Sequence, residues 1–207
     1  MAVKIMIMLI IDKEERGMHM DKLELNIFEN KSALKSISWI QILVMIGTFL
    51  VLYLLEGLII HPTGSALVGR EQFGLVGAVF FIIALFFIII IVHEAIHGIF
   101  FKVFNLRGKV KYGLKAGMAY ATSPGTVYTR GQFFIIIVMP FIILTAVMMT
   151  LMFLLPNPAY KYYIALHTGA CAGDFYYLYL ISKHKHLSYA VDTEVGMSLY
   201  ETKEQII

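Results

Sequence analysis

The feature that most constrains this chain is a run of 20 residues, 73–92, that contains only apolar side chains and glycine. A helix needs about 20 such residues to cross the hydrocarbon core of a bilayer. Two further stretches, 36–55 and 131–155, carry no charged residue. With 59% hydrophobic and 15% charged residues among 207, the composition is typical of a polytopic membrane protein and excludes an ordinary soluble domain.

These apolar runs predict an all-α membrane fold with about four transmembrane helices. We expect the helices over residues 37–60, 73–104, 131–155 and 160–182, within one membrane domain that covers 36–182. An N-terminal segment, 1–35, precedes this domain, and a polar tail, 183–207, follows it. The chain has a single cysteine, Cys171, which excludes an internal disulfide framework and a multi-cysteine metal cluster.

The connection between the second and third predicted helices has the pattern of a strand rather than a helix. Basic and apolar residues alternate over 109–115, and Ala116-Gly117 can turn the chain back into residues 118–122. We therefore expect a small cytoplasmic β-hairpin between the two helices. Two roles are open for it: a surface hairpin at the lipid head groups, or a strand edge that pairs with an extended substrate.

The positive charges predict how the chain is oriented in the membrane. Of the 17 Lys and Arg residues, 15 lie in the N-terminal segment, the connection from Lys102 to Arg130, or the tail. The other two connections carry only Arg70 and Lys161. By the positive-inside rule, both termini of a multi-pass protein should then be cytoplasmic. Because these charges flank apolar runs and no nucleic-acid motif is visible, we expect a lipid bilayer and a membrane protein or peptide as partners, and no nucleic acid.

A sequence typical of metal-dependent hydrolysis, His93-Glu94-Ala95-Ile96-His97, follows the apolar run directly. On a helix, positions i and i+4 share one face, so both imidazoles can bind one metal ion. Glu94 can then act as a general base towards a water molecule at that ion. Because ionisable residues at membrane depth are energetically costly, the location indicates function more strongly than the spacing does.

A catalytic zinc site usually has three protein ligands, and Asp174 is the best candidate for the third. At about 1.5 Å of rise per residue, Asp174 lies roughly 13 Å from Lys183, and the middle of the His pair lies roughly 11 Å from Lys102. Both helix ends should face the same side, so the three groups reach a similar depth. His167 should lie about 10 Å deeper, which suits a hydrogen bond between helices or a supporting contact, and it is the alternative third ligand.

Several segments of the chain resemble the site-2 protease type of intramembrane zinc metalloprotease. They are the motif with its following Gly98, and Gly173-Asp174 on a later helix. The closer resemblance is to the zincin-peptidase family of bacterial membrane proteins, and it also includes Ser123-Pro124, the Arg130-Gly131-Gln132-Phe133 segment and Pro140. The resemblance implies that His93, His97 and Asp174 bind one zinc ion per chain, that Glu94 is the general base, and that the protein lies in a bacterial plasma membrane.

The sequence thus predicts an integral membrane zinc metalloprotease that hydrolyses peptide bonds of a membrane-associated or transmembrane substrate near the cytoplasmic face. The alternative from another class is a metal-binding or metal-transporting membrane protein without proteolytic activity. A third interpretation is a structural protein in which the polar side chains only join helices. A glutamate next to a metal-binding histidine favours the enzyme, because a simple binding site needs no base. The ligands also accept divalent ions other than zinc.

Overall fold

The computed structural model describes residues 21–64, 66–68, 70–115 and 117–206 of the chain. Residues 1–20 of the predicted N-terminal segment lie outside this described part, as does Ala116 of the expected hairpin turn. The described part contains three long helices, two short α-helices, a four-stranded sheet and a two-stranded sheet.

Three helices are long and apolar enough to cross a membrane: α1 (Lys31–Leu55), α2 (Arg70–Phe104) and α3 (Arg130–Leu154). Helix α1 begins after Asn30, whose side chain accepts a hydrogen bond from the Ala33 N–H at 2.9 Å, and it continues into a π-helical turn, Glu56–Ile60. Large apolar side chains cover the outer faces of these helices; Phe80, for example, is 69% exposed. Such faces are suited to hydrocarbon, and the first three predicted spans are confirmed as membrane-length helices.

The prediction of a fourth single membrane-length helix, over 160–182, is wrong. The chain there forms two helices of 12 residues, α4 (Ala159–Ala170) and α5 (Ala172–Lys183), which meet at Cys171. Each is about 18 Å long, well short of a hydrocarbon core about 30 Å thick. The physical reason is that much of α4 is buried inside the protein, including the polar side chains of Lys161, His167 and Thr168. The described part of the chain therefore has three membrane-length helices rather than four.

The predicted hairpin is present between α2 and α3. Strands β2 (Lys111–Lys115) and β3 (Met118–Thr122) pair antiparallel, with Lys115 opposite Met118. Gly117 in the turn has a positive φ of 82°, a conformation that favours glycine. Among the described strands, β3 pairs only with β2, so its other edge has no strand partner in the described part of the chain.

The all-α prediction is wrong because a second, four-stranded antiparallel sheet joins distant parts of the chain. Its strands are β1 (Lys22–Asn26), β4 (Val127–Thr129), β5 (Tyr189–Thr193) and β6 (Gly196–Tyr200), in the order β1-β6-β5-β4. Lys22 pairs with Tyr200, so the N-terminal segment and the tail lie at the same end of the helices. Because β4 leads directly into α3 and pairs with β5, α4 and α5 together return the chain to the end where α3 begins.

Two apolar cores include buried side chains from the C-terminal part of α2. One packs the sheet against the helix ends and contains Phe101, Tyr128, Phe133, Met197 and Leu199 among its buried side chains. The other joins α1, α2, α3 and α4, and its buried side chains include Leu52, Ile96, Met148, Met152 and Ile164. The His93–His97 turn of α2 lies between these two cores, so packing on both sides fixes its position.

Candidate metal centre

The two histidines of the motif face each other on consecutive turns of α2. Their Nε2 atoms are 3.2 Å apart, and their ring centroids are 4.9 Å apart. Both side chains are largely buried, with 12% of His93 and 7% of His97 exposed. The spacing of i and i+4 thus gives two imidazole nitrogens that converge on one point.

Asp174 brings a carboxylate to the same point from the first turn of α5. Its Oδ2 is 3.1 Å from His93 Nε2, and its Oδ1 is 3.5 Å from His97 Nε2. A carboxylate in the first turn of a helix is also stabilised by the partial positive charge of that helix end. Because a new helix begins after Cys171, Asp174 lies in a first helical turn, where this stabilisation is available.

The backbone of α3 sets the orientation of His97. His97 Nδ1 lies 2.9 Å from the Ile136 carbonyl oxygen, to which it can donate a hydrogen bond. That carbonyl lies four residues before Pro140, which has no N–H to donate and whose ring forces the carbonyl away from the helix axis. Pro140 therefore leaves the Ile136 oxygen free for His97. With Nδ1 protonated, the Nε2 of the neutral ring is an acceptor that faces Asp174.

The donor atoms fit a tetrahedral zinc ion. Ligand nitrogens and oxygens at about 2.0–2.1 Å from zinc in tetrahedral geometry lie about 3.3–3.4 Å apart, and the observed separations are 3.2, 3.1 and 3.5 Å. Asp174 Oδ2 is also buried, and it has no hydrogen-bond partner among the residues that the structure describes. A carboxylate and two unprotonated nitrogens are all acceptors, so a cation between them would satisfy all three. His93, His97 and Asp174 are thus placed to hold zinc.

Glu94 projects into a cavity of about 410 Å³ that opens beside this site. The cavity lies between β3, the turn from β5 to β6, and apolar side chains of α1 and α2 such as Ile37 and Phe86. The backbone of Ala121 in β3 interacts with the Glu94 carboxylate. The predicted base, the three donors and the edge of the hairpin therefore share one cavity.

Gly98 allows the hairpin to approach the helix that carries the histidines. A Cβ atom added at Gly98 would lie only 1.8 Å from the hydroxyl oxygen of Tyr112 in β2. The glycine that directly follows His97 thus leaves room for a side chain of the hairpin. This close approach brings β3 to the rim of the cavity.

The sequence analysis missed Asp192, an acidic residue that also lines the cavity. Its side chain is on β5, points inward like that of Ala190, and only 6% of the residue is exposed. Burial raises the pKa of this carboxyl from 3.8 to about 7, although a hydrogen bond with the Thr122 side chain opposes the shift. The period of two in residues 189–193 places Asp192 on the same face as Ala190, but that signal is informative only once the segment is known to be a strand.

His167, the alternative third ligand, lies on the other side of the His93 ring. It is 2% exposed, and its ring centroid is 5.6 Å from that of His93. Its nitrogens lie 3.8 and 3.9 Å from Cys171 Sγ, and the same sulfur lies 3.9 Å from His93 Nδ1. The structure therefore brings Asp174, rather than His167, to the point where the two Nε2 atoms meet.

Comparison with known proteins gives one family for this chain. The family described as "putative zincin peptidase" matches residues 86–189, just over half of the 207 residues. No curated protein and no solved structure gives a significant match. The matched region begins in α2, before the motif, and ends at the start of β5, so it contains His93, Glu94, His97 and Asp174. Because this match covers more than half of the chain, the chain belongs to the family described as "putative zincin peptidase".

Proposed function

We propose that the protein is an intramembrane zinc metalloprotease of a bacterial plasma membrane, similar to site-2 proteases, which hydrolyses a peptide bond of a membrane-associated or transmembrane substrate near the cytoplasmic face. The observation that carries the proposal is the convergence of the donors His93, His97 and Asp174 beside a candidate base, Glu94, in one cavity. A site that only joined helices would not need this cavity, which is large enough for an extended peptide segment.

Each residue has a distinct chemical role in this proposal. Zinc, when held by the three donors, supplies the Lewis acidity that activates water and polarises a peptide carbonyl. Glu94 accepts the proton of the attacking water and passes it to the nitrogen of the leaving amine. Ile136, through its carbonyl oxygen, holds His97 in the tautomer that leaves Nε2 free for the metal.

The free edge of β3 is the feature that would bind the substrate. A transmembrane helix has its carbonyls hydrogen-bonded, so a scissile peptide must be unwound and held extended. Residues 118–121 of β3 line the cavity, and pairing along that edge would satisfy the peptide groups of an extended segment. The apolar wall from α1 and α2 suits a substrate that arrives from the membrane.

The charge distribution supports a cytoplasmic position for the sheet and hairpin. The N-terminal segment, the connection from Lys102 to Arg130 and the tail contain 15 of the 17 basic residues. The strands from these three regions lie at one end of the helices. The positive-inside rule then orients that end, and the cavity beside it, towards the cytoplasm.

The experiment compares wild type with Glu94→Gln and His97→Ala, each purified in detergent. We expect about one zinc per chain and cleavage of a mixed peptide library for wild type, zinc without cleavage for Glu94→Gln, and neither for His97→Ala. Mass spectrometry detects the new peptide ends, and elemental analysis counts the zinc. Full activity in Glu94→Gln would refute the mechanism, and zinc movement across vesicles without cleavage would favour a transporter.

A further inference from the structure

A second group of metal-binding side chains lies directly behind His93. The group consists of His93, His167 and Cys171, and one ligand atom of each residue lies within 4.8 Å of the others. His167 and Cys171 are almost fully buried, with 2% and 1% exposed. Asp174 and His97 form the first donor group together with the same His93 ring.

The two groups use different nitrogens of the His93 ring. His93 Nε2 lies 3.2 Å from His97 Nε2 and 3.1 Å from Asp174 Oδ2. His93 Nδ1 lies 3.9 Å from Cys171 Sγ, and Cys171 Sγ lies 3.8 Å from His167 Nε2. Because the two ring nitrogens point in different directions, the groups define two separate positions rather than two ligand choices for one ion.

Donors of both groups lie at or near the junction between α4 and α5. His167 lies in the last turn of α4, Cys171 lies at the junction four residues later, and Asp174 lies in the first turn of α5. An uninterrupted helix would place His167 and Asp174 seven residues apart on one face, about 10 Å apart along its axis. His93 lies between them, with its Nε2 3.1 Å from Asp174 Oδ2 and its ring centroid 5.6 Å from that of His167.

The donor set of the second group suits a thiophilic cation. A sulfur at about 2.3 Å and a nitrogen at about 2.0–2.1 Å from a tetrahedral zinc lie about 3.5 Å apart. The two observed sulfur–nitrogen separations of 3.8 and 3.9 Å are only a few tenths of an ångström longer, and the ligand nitrogens of His93 and His167 lie within 4.8 Å of each other. One thiolate and two imidazoles select zinc, cadmium or cobalt over magnesium or calcium.

We propose that Cys171, His167 and Nδ1 of His93 form a second metal position, for zinc or another thiophilic divalent cation, with His93 shared between the two sites. Binding there displaces one proton from the Cys171 thiol and one from His93 Nδ1 to the solvent. Because the shared ring must lose its second proton, this position fills after the first. The inference goes beyond the proposed function, since it requires metal binding but no hydrolysis.

Cobalt(II) titration of the full-length, detergent-purified protein tests the proposal. We expect wild type to bind about two equivalents, with a near-ultraviolet sulfur-to-cobalt charge-transfer band that grows with the second. Cys171→Ser should bind about one equivalent, without the band. His167→Asn should weaken the band strongly. His61→Ala changes an exposed histidine that belongs to neither donor group, so it should leave the whole titration unchanged.

A further variant separates this inference from the proposed protease activity. His97→Ala removes a donor of the first position only, so it should lose peptide cleavage and the zinc that wild type carries as purified, yet still give the sulfur band when cobalt is added. One equivalent and no sulfur band in wild type would overturn the second position even if cleavage is found. A band of full strength in His167→Asn would also overturn it, because the sulfur would then bind cobalt without its proposed partner.

Discussion

Replacement of Pro140 by alanine should weaken metal binding while it strengthens the helix that carries the change. Alanine at position 140 supplies an N–H that can bond the Ile136 carbonyl, which is the oxygen that orients His97 at 2.9 Å. The new bond within α3 competes with His97 Nδ1 for this acceptor. The ring would then lose part of the contact that fixes its tautomer and direction.

The two effects have different sizes and opposite signs. Loss of a contact that supports a metal-binding histidine typically costs 10- to 100-fold in metal affinity, or about 1.4–2.7 kcal/mol. Proline inside a helix costs up to about 3 kcal/mol relative to alanine, and less in a membrane helix, where neighbouring groups satisfy the freed carbonyl. Pro140→Ala should therefore bind zinc about 10- to 100-fold more weakly, while the metal-free protein unfolds at the same or a higher temperature.

Both quantities can be measured on the same preparation. Competition with a chelating dye gives the zinc affinity, and thermal unfolding of the metal-free protein gives the change in stability. For a chain of this size, 1 kcal/mol corresponds to roughly 2–4 °C in Tm. Ile143→Ala is the matched control, since it shortens a partly exposed side chain of α3 and leaves position 140 unchanged; it should keep the wild-type zinc affinity.

The result that contradicts this reasoning is equal zinc affinity in wild type and Pro140→Ala. It would mean that the Ile136 oxygen accepts both hydrogen bonds at once, or that His97 is oriented by packing alone. Weaker zinc binding together with a lower Tm of the metal-free protein would also count against it, because general disruption of α3 would then explain the loss.

Three further changes test the sheet, the cavity and the outer end of the helices by thermal unfolding. Asp192→Asn should flatten the pH dependence of stability. The folded carboxyl, with its pKa raised from 3.8 to about 7, keeps a proton that the unfolded chain loses, so wild type alone should lose up to about 4 kcal/mol between about pH 4 and 7; parallel pH profiles would contradict this. Gly196→Ala should cost about 2 kcal/mol or more, because its Cβ would lie 1.9 Å from a backbone oxygen of β1, whereas Gly131→Ala has free space and should change little. Lys161→Ala should cost about 3–5 kcal/mol, since it leaves the buried Glu56 carboxylate without its cation. Addition of Glu56→Gln should recover most of that loss, and no recovery would argue against the ion pair as the cause.

The features predicted correctly from the sequence are those set by local patterns. Apolar runs determine the three long helices, and alternation with a glycine turn determines the hairpin. The i, i+4 spacing places His93 and His97 on one face, and the structure brings the two nitrogens together. The depth argument for Asp174 leads to the same point because it depends on distance from a helix end, which the break at Cys171 alters little.

The features that were missed depend on contacts between distant residues. The pairing of Lys22 with Tyr200 joins segments nearly at opposite ends of the chain, and strands of three to five residues give too weak a pattern to predict it. No proline or charged residue at 169–173 indicates that the helix ends at Cys171. Because much of α4 is buried inside the protein, this segment does not need to be one continuous membrane-length helix. Asp192 was missed for the same reason as the strand that carries it.

Irregular helix geometry recurs wherever a residue of the metal centre needs a partner or a position. Pro140 interrupts the hydrogen bonds of α3 and leaves one carbonyl to orient His97. The junction at Cys171 ends one helix and begins another, so that Asp174 gains the favourable charge of a helix start and faces both histidines. Gly98 removes a side chain from α2 where Tyr112 of the hairpin approaches. Three uninterrupted, uniformly apolar helices would be a better match for lipid, and each of these three departures serves a residue of the metal centre or the approach of the hairpin to it. This distribution is why we attribute the departures to function rather than to membrane insertion.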